Sequence, residues 1–200
     1  TRVFAAAFLA AFAAGAGAQT VKVGVVLPYT GGGAEFAQQV DRGIQTFMKL
    51  NPKAFGPYKI EIVKRDSKNP SGAEAKTAVQ ELIVQEKVDI LTGFIYSGDA
   101  IASAPLATEA KKPMVIMNAG TAWITTLSPM ISRVSFSMWH AGHAMGEAAA
   151  KNLKAKTAVI GYTDYPPGKD SLDAFKRGFE ANGGKVIDEM LCSADVAFAL

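Results

Sequence analysis

The sequence predicts an α/β fold in two lobes, each a doubly wound parallel sheet, with the second lobe incomplete. Three observations carry that expectation. Short apolar runs alternate with helix-length amphipathic runs along the chain. The short runs are nearly continuous in Val, Ile and Leu, as in strands buried on both faces. The loops between them are only a few residues long. Two of the short runs, Ile90 to Phe94 and Met114 to Met117, stop abruptly at small polar stretches: Tyr96-Ser97-Gly98-Asp99 and Asn118-Ala119-Gly120-Thr121. In a parallel sheet the C-terminal strand ends share one edge, where the amides opening the next helices lack intrahelical partners and can hold a small anionic group. Ser97 and Thr121 then fall at equivalent strand ends as half of a ligand cleft. Either hydroxyl could instead cap a helix, and the two roles are compatible.

Taken in order, Arg2 followed by the apolar run Val3 to Ala14 and the A-x-A pattern Ala16-Gly17-Ala18 reads as a secretory signal peptide over 1–18, cleaved before Gln19. A membrane-anchoring helix is the weaker reading, because the run is too short to span a bilayer. The formal charge of +3 loses one unit with Arg2, too little and too dispersed for a nucleic-acid footprint, so no nucleic-acid partner is expected. A single cysteine, Cys192, excludes an internal disulfide and a cysteine-based zinc cluster. Export without disulfides fits a periplasm, where a large core can replace covalent staples.

Val21 to Leu27 is the first strand, ended by Pro28, and Tyr29 to Gly33 is a glycine turn that permits close approach of a ligand. Phe36, Val40, Ile44, Phe47 and Met48 form one face of the helix that follows, and Asn51-Pro52 ends it. Tyr58 to Val63 is a second strand finishing in Lys64-Arg65-Asp66. Ser71 and Glu74 have capping-box spacing, which opens a helix with Ala75, Ala78, Val79, Leu82 and Ile83 inward. After Ser97, Pro105 cannot sit in an unbroken helix interior, so a restart capped by Ser103 is expected. Val134 to Met138 is a further strand candidate. From Ala141 a helix is expected with Met145, Ala148, Ala149 and Leu153 inward. Thr157 to Tyr162 is a strand, Leu172, Phe175 and Phe179 mark a helix ended by Asn182-Gly183-Gly184, and Lys185 to Met190 is the last strand. The lobes are accordingly placed at 19–136 and 137–200.

With those residues located, the chain resembles the periplasmic leucine/isoleucine/valine-type (type I) solute-binding proteins of ABC importers. The carrying stretches are VKVGVVLPYTGGGAEFAQQVDRGIQ, the strand-ending Asp66, VDILTGFIYSGDAIASAPLATEAKKPMVIMNAGT and GYTDYPPGKDSLDAFKRGFEANGG, together spanning Val21 to Met190. The resemblance implies two α/β lobes that close on a ligand like a hinged clamp. It implies a monomer that captures a small carboxylate-bearing solute, a branched-chain or other amino acid, and delivers it to a membrane permease, without catalysis, cofactor or metal. It places the carboxylate on Ser97 and on Ala119, Gly120 and Thr121, an aromatic near the ligand at Phe36, and a tyrosine of the second lobe at Tyr165. Asn118 departs from the proline common in branched-chain binders, and Trp123 follows the threonine closely; both are compatible with a larger or aromatic acid. Ser193 to Leu200 does not continue the family pattern, which suggests a frameshift, a fragment end or a gene-model error.

Tyr29, Phe36 and Trp123 fit a cleft wall or a core equally well, whereas Tyr165, in a proline-rich loop, has little core to join. His140, His143 and Glu147 are spaced to reach one metal, but His140 sits by a helix start and no further ligand cluster is near. Cys192 has no sequence-adjacent histidine to activate it. A dinucleotide-dependent enzyme would use the glycine turn and Asp66, yet Phe36 stands at the third glycine position. The sensing domain of a receptor could use the same fold as a transporter component.

Overall fold

The structure is a computed structural model that describes residues 19–192. The expected signal peptide and the departing segment 193–200 lie outside the described residues. The first lobe runs β1 (Thr20–Leu27), a 3-10 turn (Gly31–Gly33), α1 (Ala34–Leu50), β2 (Lys59–Asp66), α2 (Ala73–Val84), β3 (Ile90–Gly93) and α3 (Ser97–Glu109). It ends with β4 (Met114–Ile116), a second 3-10 turn (Ala122–Thr126) and β5 (Ile131–Arg133). The second lobe has α4 (Met138–Lys151), β6 (Thr157–Thr163), α5 (Pro166–Glu180) and β7 (Lys185–Cys192).

The first sheet is parallel throughout in the order β2-β1-β3-β4-β5, and the second pairs β6 with β7, also in parallel. Strand order reverses at β1, so the crevice at the carboxyl ends of β1 and β3 is the switch point of a doubly wound sheet. Val26, Leu82, Leu91, Phe94, Met114 and Ile116 are fully buried in the core under α2 and α3, and Ala78, Ala100, Ala104 and Ala107 let those helices approach closely. Each large apolar side chain so buried contributes about 1.5–3 kcal/mol. At the end of β3 the chain turns through positive φ at Gly93 (+106°) and at Phe94 (+58°). A Cβ at Gly93 would stand 2.3 Å from the Val26 carbonyl oxygen, so glycine is required there.

Several local expectations shift. The Ser71 hydroxyl accepts from the Ala73 amide (3.3 Å) and donates to the Glu74 carboxylate (2.9 Å), while Gly72 occupies the cap position with φ +81°. The pair therefore braces the turn before α2 rather than closing a capping box. α3 continues through Pro105 without a restart; its buried face of Ala100, Ser103, Ala104 and Ala107 outweighs the local cost of a proline, about 3 kcal/mol. The fifth strand is Ile131–Arg133, not Val134 to Met138, because Ile131 is the buried residue opposite Met114 while Val134 and Phe136 are exposed. α4 starts at Met138, three residues early, since Ser137 and His140 form a capping box there. Its buried residues are Gly142 and Gly146, and Met145 and Leu153 are exposed. The helix packs backbone to backbone: a Cβ at Gly146 would lie 2.2 Å from the Phe175 carbonyl oxygen of α5.

Candidate functional site

The ends of β3 and β4 are joined into one polar edge. Ser97 opens α3 and is buried, and its Oγ accepts the Thr121 amide (3.2 Å). The Ala119 amide donates to the Phe94 carbonyl (2.9 Å), and Asn118 Nδ2 donates to the Ile95 carbonyl (3.3 Å). The cap residue of α3 is Tyr96, which offers its first-turn amides no side-chain acceptor. Those amides, with the Ser97 hydroxyl proton, are free to meet an anion. The Thr121 Oγ1 is buried without a partner beside them.

A cavity of about 400 Å³ opens on this edge. Ile95, Tyr96, Ser97, Asn118 and Gly120 line the first-lobe side; Ser135 and Phe136 come from the connecting segment, and Thr163 and Tyr165 from the second lobe. No lining residue is acidic or basic, and the walls are mostly apolar, a composition and size suited to a small organic ligand. Tyr96 gains its place from the glycine turn: a Cβ at Gly33 would lie 2.4 Å from the Tyr96 hydroxyl. The turn thus makes room for a side chain of the cleft.

Of the residues singled out from sequence, Ser97, Gly120 and Tyr165 line this cavity. Ala119 and Thr121 lie fully buried in the same strand-end turn. Tyr29, Phe36 and Trp123 are outside the lining. Tyr29 donates its hydroxyl to Asp41 (3.1 Å), and burial and that neighbouring carboxylate raise its pKa. Phe36 is 56% exposed on α1 and Trp123 42% exposed on the second 3-10 turn.

Sequence reasoning passed over two charged residues that shape the site. Arg133, at the end of β5, donates to the carbonyls of Ala119 (2.9 Å), Thr121 (2.7 Å) and Ala122 (2.8 Å). Asp170, on α5, accepts the Ala122 amide. No local pattern marks either, since one ends a three-residue strand and the other sits inside an amphipathic helix.

Asp66 is committed within its own lobe. It accepts from the Tyr29 amide (2.8 Å), the Thr30 amide (3.4 Å) and hydroxyl (2.6 Å), and the Lys68 amide (2.8 Å). Burial opposes its ionisation, but these hydrogen bonds prevail and hold its carboxyl below the ordinary range. It therefore organises the turn after β1 and has little capacity left for a cofactor ribose. His140 Nδ1 accepts the Ser137 amide (3.1 Å), which is its capping role. No group of three or more potential metal-ligating side chains occurs among the described residues. None of the helices among them is long and apolar enough to cross a membrane.

Residues 20–197 match the periplasmic binding protein family. The chain is 37% identical over 177 residues to the Leu/Ile/Val-binding protein homolog 6 of Brucella abortus (strain 2308), covering 88% of this chain and 45% of that one. Among solved structures it resembles an ABC-transporter solute-binding protein of Rhodopseudomonas palustris in complex with 4-hydroxybenzoate (40% identity, TM-score 0.82, 88% of this chain and 47% of that chain). It also resembles a leucine-binding protein of Thermotoga maritima MSB8 (32% identity, TM-score 0.76, 90% and 53%). The chain thus spans about half the length of the relatives it matches.

Proposed function

Because the chain belongs to the periplasmic binding protein family, we propose that it forms the carboxylate-holding part of a solute-binding component of an ABC importer. It works outside the cytoplasm, is exported by a cleavable signal peptide over 1–18, and delivers its solute to a membrane permease as a monomer. The lobes are assigned to 19–136 and from 137 onward. The solute is a small aromatic carboxylate. The observation that carries this reading is the cleft itself: the Ser97 and Thr121 hydroxyls and the first-turn amides of α3 at one end, and uncharged apolar and aromatic walls of Tyr96, Phe136 and Tyr165 beyond. A carboxylate at the opening of α3 gains from oriented amides, and a ring gains from the walls. The likeness to the 4-hydroxybenzoate complex supports the same choice.

An aliphatic amino acid is the second reading, favoured by the name of the Brucella relative and by the leucine-binding structure. It requires an acidic partner from outside the described residues. Both readings are of binding and delivery, in keeping with the hydroxyls, amides and rings that line the cleft among the described residues.

Titration calorimetry of the full-length mature protein with benzoate, 4-hydroxybenzoate and leucine tests the choice. Binding of the aromatic acids, weakened on the order of tenfold in Ser97→Ala, is expected. Binding of leucine alone would transfer the proposal to the amino-acid reading.

A further inference from the structure

The turn from Ala119 to Ala122 is gripped from two sides. Arg133, in the first lobe, holds three of its carbonyls. From the second lobe, Asp170 accepts the Ala122 amide. Asp170 is itself buried, at 9% exposure, and it is the one second-lobe side chain, among the described residues, that hydrogen-bonds to the first lobe. The next amide along, Thr121, is bound to Ser97 Oγ (3.2 Å), and Gly120 lines the cavity. A continuous path therefore runs from α5 through Ala122 and Thr121 to the hydroxyl at the opening of α3. Burial lowers the Arg133 pKa, and the nearby Asp170 carboxylate partly opposes that shift.

Moving α5 away from the first lobe must break the Asp170 bond and turn the Ala122 amide to solvent, leaving the turn held by Arg133 and, where α4 begins, by the Met138 amide on the Gly120 carbonyl (2.8 Å). We propose that Asp170 is a positioning residue: while the second lobe is seated it keeps the Gly120-Thr121 turn in ligand-holding geometry, so that loss of its bond to the Ala122 amide speeds solute release. The inference rests on the proposed function for its ligand and on the structure alone for the tie.

Two measurements on the full-length protein test it. The first needs no ligand: the Ala122 amide should be protected from hydrogen exchange in the wild type and exchange at least about tenfold faster in Asp170→Ala. The second is stopped-flow binding of 4-hydroxybenzoate, where Asp170→Ala should release it on the order of tenfold faster with association within about twofold of wild type. Asp170→Asn keeps an acceptor and should fall between the two. Ala122→Pro removes the donor without touching α5; it is compatible with the backbone, since Thr121 has ψ 125° and Ala122 opens a 3-10 turn. It should reproduce the fast release, and it decides the matter should Asp170→Ala not fold. Wild-type release rates in either substitution, or equal Ala122 exchange with and without the Asp170 carboxylate, would overturn the proposal. A wild-type protein that binds none of the solutes would overturn the proposed function instead, and the exchange measurement would still decide on the tie.

Discussion

A carboxyl group with no exposure and no hydrogen bond to either oxygen is costly to ionise, and Asp99, in the first turn of α3, is in that position. Burial pushes its pKa up to about 6, against the smaller pull of the Ser67 hydroxyl and Gly72 amide nearby. The folded protein therefore holds a proton that the unfolded chain, titrating near 3.8, has released. Stability should fall as pH rises from about 4 to about 6, by roughly 2–3 kcal/mol in all, and should level off above that. Urea unfolding across that range checks this: Asp99→Asn should remove the decline, and an unchanged profile would assign the proton elsewhere. Single residues also mark the limit of reading by pattern. Ser97 was legible because it lies in the short polar stretch that follows a buried strand, whereas Asp170 was not, because its partner is a backbone amide 48 positions away.

At the scale of elements, the helix pair α4 and α5 shows why small residues can displace large ones. Gly142 and Gly146 face Ser171 and Phe175 of α5, while Gly178 faces the His143 carbonyl, so the backbones themselves are in contact. Hydrophobic spacing pointed instead to Met145 and Leu153, which are 65% and 78% exposed. Gly146→Ala should destabilise by roughly 1–3 kcal/mol, because the new methyl meets main-chain atoms that cannot move aside cheaply. Gly43→Ala, in the helix α1 with nothing near its added carbon, should stabilise by about 0.5–1 kcal/mol. Denaturant midpoints at constant slope measure both, and equal effects would mean that the close packing carries no energetic weight. Helix existence and type were legible except at Pro105, where a restart was expected and α3 runs on; the ends shifted where a cap such as Ser137 with His140 overrode periodicity.

For the whole molecule, the cavity lies between two sheets whose lobes meet through the segment from Val134 to Ser137, the Met138 amide on the Gly120 carbonyl and the Asp170 bond. A ligand spanning that cavity should favour the closed arrangement, because it touches both walls only there. Small-angle scattering of the full-length protein should show a smaller radius of gyration with saturating 4-hydroxybenzoate than without it; an unchanged radius would argue that the lobes stay docked throughout binding. By itself the sequence determined the alternation of strands and helices, the parallel character of the first sheet and the polar strand ends at Ser97 and Thr121, because periodicity and strand termination are local properties of the chain. Only the tertiary structure decided which aromatic side chains reach the cleft, why Tyr96 and Phe136 line it while Phe36 and Trp123 do not, and that Arg133 and Asp170 converge on one turn. Those outcomes depend on how distant segments are brought together, by close backbone packing at glycines within each lobe and by long-range hydrogen bonds, neither of which leaves a periodic trace in the sequence.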